Sequence, residues 1–234
     1  TGGGWDVTLN LPDGRRTTFA FTPKLPTFDV NNENTFNGYA RWTAPPGVTA
    51  TLSNYPAQSD LIRFFPSVYW AAGGDNSTFV NNDLPGWVLQ TQEGTKYIIT
   101  RKPDSIEANL IFQDSPGHYI NVQTYGPPKL SKIIQRSGDK IEINSDNIRH
   151  LNASNEVTRT VFIDHDAQGR ILALRDPNSG SDGLPAVKYV YNHDNGKLLQ
   201  VLKLVDRNAG TYQTTKYHYD HPKFPHNITS IEDP

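Results

Sequence analysis

The sequence predicts an all-β fold made of many short antiparallel strands. Apolar and polar side chains alternate over short segments, and these segments end at Gly, Asn, Asp or Pro. No window of about 12 residues without Gly or Pro carries apolar residues at helical spacing. The 18 Gly and 17 Pro among 234 residues supply the turns that such a chain needs.

The composition excludes several classes of protein. The chain contains no Cys, so it forms no disulfide and offers no thiolate for catalysis, zinc or an iron–sulfur cluster. Its 22 Lys and Arg against 24 Asp and Glu give a net charge of -2, which argues against a nucleic-acid partner. No apolar run approaches the about 18 residues that a membrane helix needs. Aromatic residues make up 11% of the chain, enough to favour a folded core over disorder.

Residues 1–86 predict a β-rich N-terminal module, sandwich-like or barrel-like in form. Two pairs of alternating segments carry this prediction, and a turn separates the members of each pair. Asp13 and Gly14 form the first turn, and Asp-Gly between alternating runs is a strong hairpin signal. The segments are residues 5–11 with 17–21, and residues 39–43 with 48–52.

Residues 87–234 predict an open array of β-hairpins, in the form of a repeat-like spiral or sheet. Alternating segments follow one another at short intervals here, and each gap contains Gly, Pro or Asp. The strands predicted in the first part of the array are residues 87–91, 96–100, 108–113, 118–123, 130–135 and 140–144.

The last third of the chain repeats itself. Residues 161–164 (Val-Phe-Ile-Asp), 189–192 (Tyr-Val-Tyr-Asn) and 217–220 (Tyr-His-Tyr-Asp) are equivalent and begin 28 residues apart. Each is followed by a turn and a second strand. The second strands predicted are residues 169–177, 196–202 and 227–234.

The repeated residues have physical reasons. The aromatic residues of each unit are two positions apart and so share one face of a strand. The Asp or Asn begins the turn, because its side chain can bond the backbone two residues on. Gly138, Gly169 and Gly196 are expected to supply the positive φ that closes a hairpin. A lone hairpin cannot bury its aromatic face, so the units are expected to stabilise one another as an array.

These units resemble the YD repeats of the Rhs family. That family includes bacterial polymorphic toxins, shell-forming parts of insecticidal toxin complexes, wall-associated proteins and animal teneurins. The resemblance is best over residues 160–234. It implies a spiral of hairpins that in long members winds into a shell around a cargo segment.

The resemblance implies a structural role, not an enzymatic one. Three or four repeats are too few to close a shell, so we expect a scaffold or shell fragment of a secreted or cell-surface protein. The partners it implies are further repeats or the cargo of the parent protein. Exposed sheet edges would also allow copies of the chain to pair with one another. The chain starts without Met and stops at a repeat boundary, which predicts a piece of a longer protein.

A metal-dependent hydrolase is the main alternative. The third repeat contains His218, Asp220, His221 and His226 within nine residues, and these side chains could hold zinc or another divalent ion. A bound metal would activate a water for hydrolysis. The simpler interpretation is that turns favour polar residues. Further His and Asp at equivalent turns are His165 with Asp164, and His193 with Asp194.

A carbohydrate-binding module is the second alternative. Trp42, Tyr69, Trp70 and Trp87 could form an aromatic platform for sugars, although aromatic residues in strands more often belong to the core. No Gly-x-Ser-x-Gly segment occurs, so the nucleophile elbow of α/β-hydrolases is absent.

Overall fold

A computed structural model shows a chain built from β-strands. It describes residues 6–22, 36–56, 61–64, 85–102, 110–115, 118–122 and 126–234. All regular elements among these residues are strands, which confirms the predicted all-β class. Within the same ranges there is no helix with the length and apolarity that crossing a membrane requires. The chain forms two compact units, Thr1–Gly138 and Asp139–Pro234.

The first unit contains several small antiparallel groups of strands. One sheet contains β1, β2 and β4. Another contains β5, β7, β8 and β11 as neighbours, and there are two separate pairs, β3–β6 and β9–β10. The strands are β1 (Val7–Asn10), β2 (Arg16–Phe21), β3 (Phe36–Tyr39), β4 (Trp42–Thr43), β5 (Thr51–Asn54), β6 (Leu61–Phe64), β7 (Gly86–Gln90), β8 (Lys96–Thr100), β9 (Leu110–Ser115), β10 (His118–Val122) and β11 (Lys129–Ile134).

The predicted Asp-Gly turn joins β1 to β2. Gly14 has a φ of 85°, a conformation that costs glycine little. The backbone N–H of Arg15 donates to Oδ1 of Asp13 at 3.0 Å, so the side chain closes the turn as expected. The guanidinium of Arg15 also pairs with Asp13 at 2.7 Å, and its hydrogen bond holds the pKa of that carboxyl below its ordinary value.

The hydrophobic core of the first unit is shared by residues on both sides of position 86. Phe19 is fully buried at its centre, and Trp42 and Leu52 pack there from before that position. Leu89, in β7, belongs to the same cluster, and β5 pairs with β7 along its length. The core of the first unit therefore includes residues from both sides of position 86. The predicted boundary at 86/87 marks where repeat-like hairpins begin and stays a prediction.

The second unit is one antiparallel sheet in which strands follow one another in chain order. Consecutive strands pair with one another, from β12 with β13 to β18 with β19. The strands are β12 (Lys140–Ile143), β13 (Asn147–Leu151), β14 (Val157–His165), β15 (Ile171–Arg175), β16 (Val187–Tyr191), β17 (Leu198–Asp206), β18 (Thr211–His218) and β19 (Ser230–Glu232).

The three predicted repeat hairpins are confirmed. They correspond to the pairs β14–β15, β16–β17 and β18–β19. Gly169 and Gly196 close the first two, with φ values of 78° and 71°, and Gly138 has a φ of 94°. β13 was not among the predicted strands.

The two faces of this sheet differ in polarity. Directly paired residues share a face, and residues two apart on a strand do so as well. One face, here named the apolar face, contains Ile141, Ile143, Ile148, Val161, Ile163, Leu174, Val187, Tyr189, Val201, Tyr217 and Ile231. The opposite face, the polar face, carries cross-strand ion pairs. These are Arg149–Glu142, Arg175–Asp164 and Lys216–Glu232.

Candidate functional site

The four predicted metal ligands lie at and beyond the end of β18. His218 is the last residue of that strand, and Asp220, His221 and His226 follow in the connection to β19. Asp220, His221 and His226 are exposed to solvent. The local reason for this arrangement is the turn itself, because polar side chains there can bond to nearby backbone groups.

His218 faces a glutamate rather than the other predicted ligands. Its Nε2 lies 3.5 Å from Oε2 of Glu232, on the neighbouring strand. Lys216 Nζ contacts the other oxygen of the same carboxylate at 2.8 Å. The hydrogen bond from Lys216, with a smaller contribution from His218, keeps the pKa of Glu232 below its ordinary value. These three side chains form a cross-strand ion cluster on the polar face.

His221 acts as the acceptor that begins a turn. Its Nδ1 accepts the backbone N–H of Lys223 at 3.2 Å and that of Phe224 at 3.1 Å. Its ring also packs on Phe224, with 4.9 Å between centroids. Asn192 makes the same two contacts in the preceding hairpin, because its Oδ1 accepts the N–H groups two and three residues on. The structure thus gives His221 a definite structural role.

The remaining predicted ligands have separate surroundings. The backbone N–H of Asp220 bonds Oγ1 of Thr229 at 3.1 Å. His193 and Asp194 contact each other at 3.4 Å on a fully exposed turn. Over the ranges that the structure describes, no three His, Asp or Glu side chains form a group that could hold a metal. A zinc or other divalent-ion site at His218, Asp220, His221 and His226 stays a prediction.

The aromatic residues of the first unit divide between the core and the part outside the description. Trp42 is buried and packs on Phe21, with 5.7 Å between ring centroids. Trp87 packs against the same core and is partly buried. Tyr69 and Trp70 lie outside the described residues. Trp42 therefore occupies the core position that the simpler interpretation of these aromatics predicts.

Two shallow grooves lie in the first unit. One of about 390 Å³ lies between three turns and includes Asp13, Arg15 and Glu93. The other, of about 320 Å³, is mainly apolar and includes Leu89 and Tyr97. Neither lining contains a His or a Ser.

A repeated contact between consecutive hairpins was not predicted from the sequence. The hydroxyl of Tyr191 donates to the backbone carbonyl of Ile171 at 2.9 Å, and the guanidinium of Arg170 lies 4.6 Å from the centre of its ring. We name this combination the tyrosine clamp. In the next step, Tyr219 donates to the carbonyl of Leu198 at 2.9 Å, and Lys197 Nζ lies 5.0 Å from its ring.

The sequence contained a signal for the tyrosine clamp. The second Tyr of each pair and the basic residue after each hairpin glycine belong to the same repeated pattern. Tyr191 is the second residue of one such pair, and Arg170 and Lys197 follow Gly169 and Gly196. The pattern does not say which hairpin supplies the partner, and the structure shows that it is the preceding one.

Asp166 fixes the basic residue of the first clamp. Its carboxylate accepts the backbone N–H of Arg170 at 2.9 Å and its Nε at 2.6 Å. Desolvation opposes ionisation of Asp166, but these hydrogen bonds outweigh it and lower the pKa below its ordinary value. Burial raises the pKa of Tyr191, so its hydroxyl remains a proton donor at neutral pH.

A second polar cluster fastens the long loop after β15. Asp176 accepts the backbone N–H groups of Asn178 and Ser179 and the hydroxyl of Ser179. Arg207, 31 residues further on, donates to its other oxygen at 2.7 Å. Desolvation opposes the ionisation of Asp176, yet the Ser179 hydroxyl and the charge of Arg207 lower its pKa. The polar groups of this cluster thus bond to one another and to the loop backbone, which is a structural role.

Comparison with models of protein families found no match to this chain, and comparisons with curated proteins and with solved structures found none either. The resemblance to YD repeats therefore rests on the repeated residues of the chain itself.

Proposed function

We propose that the chain is a non-catalytic structural segment, a scaffold or shell piece of a secreted or cell-surface protein with YD-type repeats. The tyrosine clamp carries the proposal. It joins each of the last two hairpins to the one before it, with Tyr191 and Tyr219 in equivalent positions. Contacts that recur between neighbouring units are the means by which repeat arrays gain stability.

The polar acceptors at the three hairpin turns support the same role. Each turn has one side chain that accepts hydrogen bonds from the backbone of that turn, namely Asp166, Asn192 and His221. Arg170 and Lys197 lie over tyrosine rings. A binding or catalytic site would instead direct several polar groups into one concave surface. The repeats are thus used to build and join hairpins, and further repeats or a cargo segment of the parent protein are the partners that this role implies.

The test compares tyrosines that form the clamp with tyrosines that do not. Tyr191→Phe and Tyr219→Phe each remove one hydroxyl donor, and we expect each to lower the free energy of unfolding by about 1 kcal/mol. Tyr189→Phe is the matched control, because the hydroxyl of Tyr189 makes no hydrogen bond within the described part of the chain. Urea unfolding supplies the free energies, and hydrogen exchange shows whether the loss concentrates in β16–β19.

The alternatives give different results in the same preparation. A metal-dependent hydrolase would contain about one equivalent of metal after purification without a histidine tag, and His218→Ala would abolish both metal and hydrolysis. A carbohydrate-binding module would change its tryptophan fluorescence with a polysaccharide. If the clamp variants remove such an activity and leave the urea midpoint unchanged, the scaffold proposal is wrong.

A further inference from the structure

We propose that the apolar face of the second unit packs on the same face of a second copy of this chain, giving a two-layer β-sandwich. This inference goes beyond the proposed scaffold role and does not depend on it. It concerns the flat face of the sheet and is distinct from pairing between sheet edges.

The first step is the difference between the faces. Along β16, Val187 and Tyr189 belong to the apolar face, whereas Lys188 and Val190 belong to the polar face. The polar face neutralises its charges within itself, as in the Lys216–Glu232 pair at 2.8 Å. An antiparallel sheet with such alternation normally packs its apolar face against a second layer.

The second step is the exposure of the apolar face. Its residues are half-buried, and Ile231 is 57% exposed. The buried residues of this unit are Leu151 and Ala173. Both belong to the polar face, since Leu151 pairs with Lys140 and Ala173 pairs with Lys188. The face with the more apolar composition therefore contains none of the buried residues of this unit.

The third step is size. Strands lie about 4.8 Å apart and rise about 3.3 Å per residue, so β12–β19 offer a face of about 800 Å². A stable protein–protein interface buries about 800 Å² on each partner. One face of this sheet is therefore large enough for a dimer, and sheets with uncovered apolar faces pack about 10 Å apart in sandwiches.

The fourth step is the distribution of charge, which is sparse on this side. The register places two basic residues, Arg159 and Lys203, on this side, and both are exposed. Long basic side chains can extend to the rim of an interface while their stems remain on the apolar surface. Lys203 lies directly opposite Val187 in the register, so its ammonium has to extend beyond the apolar surface for two such faces to pack, and a two-fold axis makes the apolar remainder self-complementary.

Matched valines on one strand test the proposal. Light scattering of the full chain between about 1 and about 100 µM should show a dimer, because interfaces of this size reach dissociation constants of micromolar or below. Val187→Glu introduces a charge on the apolar face and should weaken the dimer at least about 100-fold. Val190→Glu introduces the same charge on the polar face, where Val190 is 39% exposed, and should leave the dimer intact.

Cross-linking supplies a readout that a folding defect cannot imitate. The chain has no Cys, so Val187→Cys and Val190→Cys each carry a single thiol and change little volume. A bismaleimide whose reach matches the about 10 Å spacing of packed sheets should link two copies through residue 187 and leave residue 190 unlinked. A monomer at all concentrations overturns the proposal. A dimer that survives Val187→Glu also overturns it and indicates pairing through sheet edges.

Discussion

His221 has a structural contact that the sequence pattern does not reveal. Its place among three imidazoles predicts a metal ligand, yet its Nδ1 accepts two backbone N–H groups. Asn192 accepts the equivalent pair in the preceding hairpin. A neutral imidazole whose Nδ1 accepts hydrogen bonds carries its proton on Nε2, so neither nitrogen then has a free lone pair for an ion, and the acceptor role and metal ligation exclude one another.

Substitutions at this position separate the two roles. We expect His221→Ala to lower the free energy of unfolding by about 1 kcal/mol, because two backbone donors lose their acceptor. His221→Asn should recover most of that loss, because Asn favours this turn position and can accept the same groups. Urea unfolding measures both variants. Equal losses in the two would contradict the acceptor role.

The carboxylate of Asp166 makes stability depend on pH. Its pKa lies below the ordinary value of 3.8 in the folded chain, so the folded state binds fewer protons than the unfolded state just below that pH. Its contribution to stability is therefore fully present above about pH 4 and is lost as the pH falls through the lowered value.

Removal of this charge should make the free energy of unfolding depend less steeply on pH in the acid range. Asp166→Asn keeps one acceptor for the turn but loses the ion pair with Arg170, so we expect lower stability at pH 7 and a shallower decline below pH 4. Asp182→Asn removes an exposed carboxylate from the neighbouring loop and serves as control. Chemical unfolding at several pH values gives the curves, and parallel curves for wild type and Asp166→Asn would refute the assignment.

At the scale of the element, strand β7 depends on a close approach between backbones. A Cβ added at Gly86 would lie 2.2 Å from the carbonyl oxygen of Ile99, on the paired strand β8. Backbone atoms inside a sheet cannot move aside as a flexible side chain can. Gly86 is therefore required for the pairing of β7 with β8.

We expect Gly86→Ala to lower the free energy of unfolding by about 3 kcal/mol, which is the upper range for overpacking. Gly47→Ala is the comparison, because Gly47 has a φ of 80° but open space where its Cβ would stand, so only backbone strain of about 1 kcal/mol applies. Thermal unfolding followed by tryptophan fluorescence reports both. A larger loss at Gly47 would show that strain outweighs the contact with Ile99.

The elements also show what the sequence can predict. Hairpins depend on neighbouring residues, so Asp13-Gly14 and the glycines 169 and 196 predicted their turns correctly. The acceptor that begins each turn was harder to place. The prediction that Asn192 begins its turn is correct. In the first repeat hairpin, however, β14 continues through His165, so the turn acceptor is Asp166. The predicted acceptor, Asp164, pairs with Arg175 instead. A shift of one or two residues in strand length is invisible to the repeat pattern.

Contacts between hairpins could not be predicted for a different reason. Tyr191 and Ile171 are 20 residues apart, and they meet only because β14–β15 and β15–β16 adopt particular registers. A bulge between Val190 and Tyr191 changes the register of the next pair once more. The further His and Asp considered for a metal lie at turns whose acceptors, Asp166 and Asn192, bond to their own backbone, and the metal site at the third repeat stays a prediction.

At the scale of the whole molecule, the two units gain stability in different ways. The first has a buried cluster around Phe19, which is 0% exposed. Within one copy of the chain, the second is a single layer whose side chains remain mostly half-buried. Cross-strand pairs, ion pairs and the tyrosine clamp must therefore supply more of its stability than burial does.

A matched truncation in each unit measures this difference. Phe19→Ala removes a fully buried ring and should cost about 4 kcal/mol, since transfer and cavity terms both apply. Phe162→Ala, in β14, removes a half-buried ring and should cost about 2 kcal/mol, because less of its surface leaves water on folding. Trp42 and Trp87 pack in or against the core of the first unit, and no Trp follows residue 87, so fluorescence reports the unfolding of that unit, and hydrogen exchange in β12–β19 reports the second. A loss at Phe162 as large as that at Phe19 would mean that the sheet is covered on the polar face in solution, which would contradict a single layer stabilised across its strands.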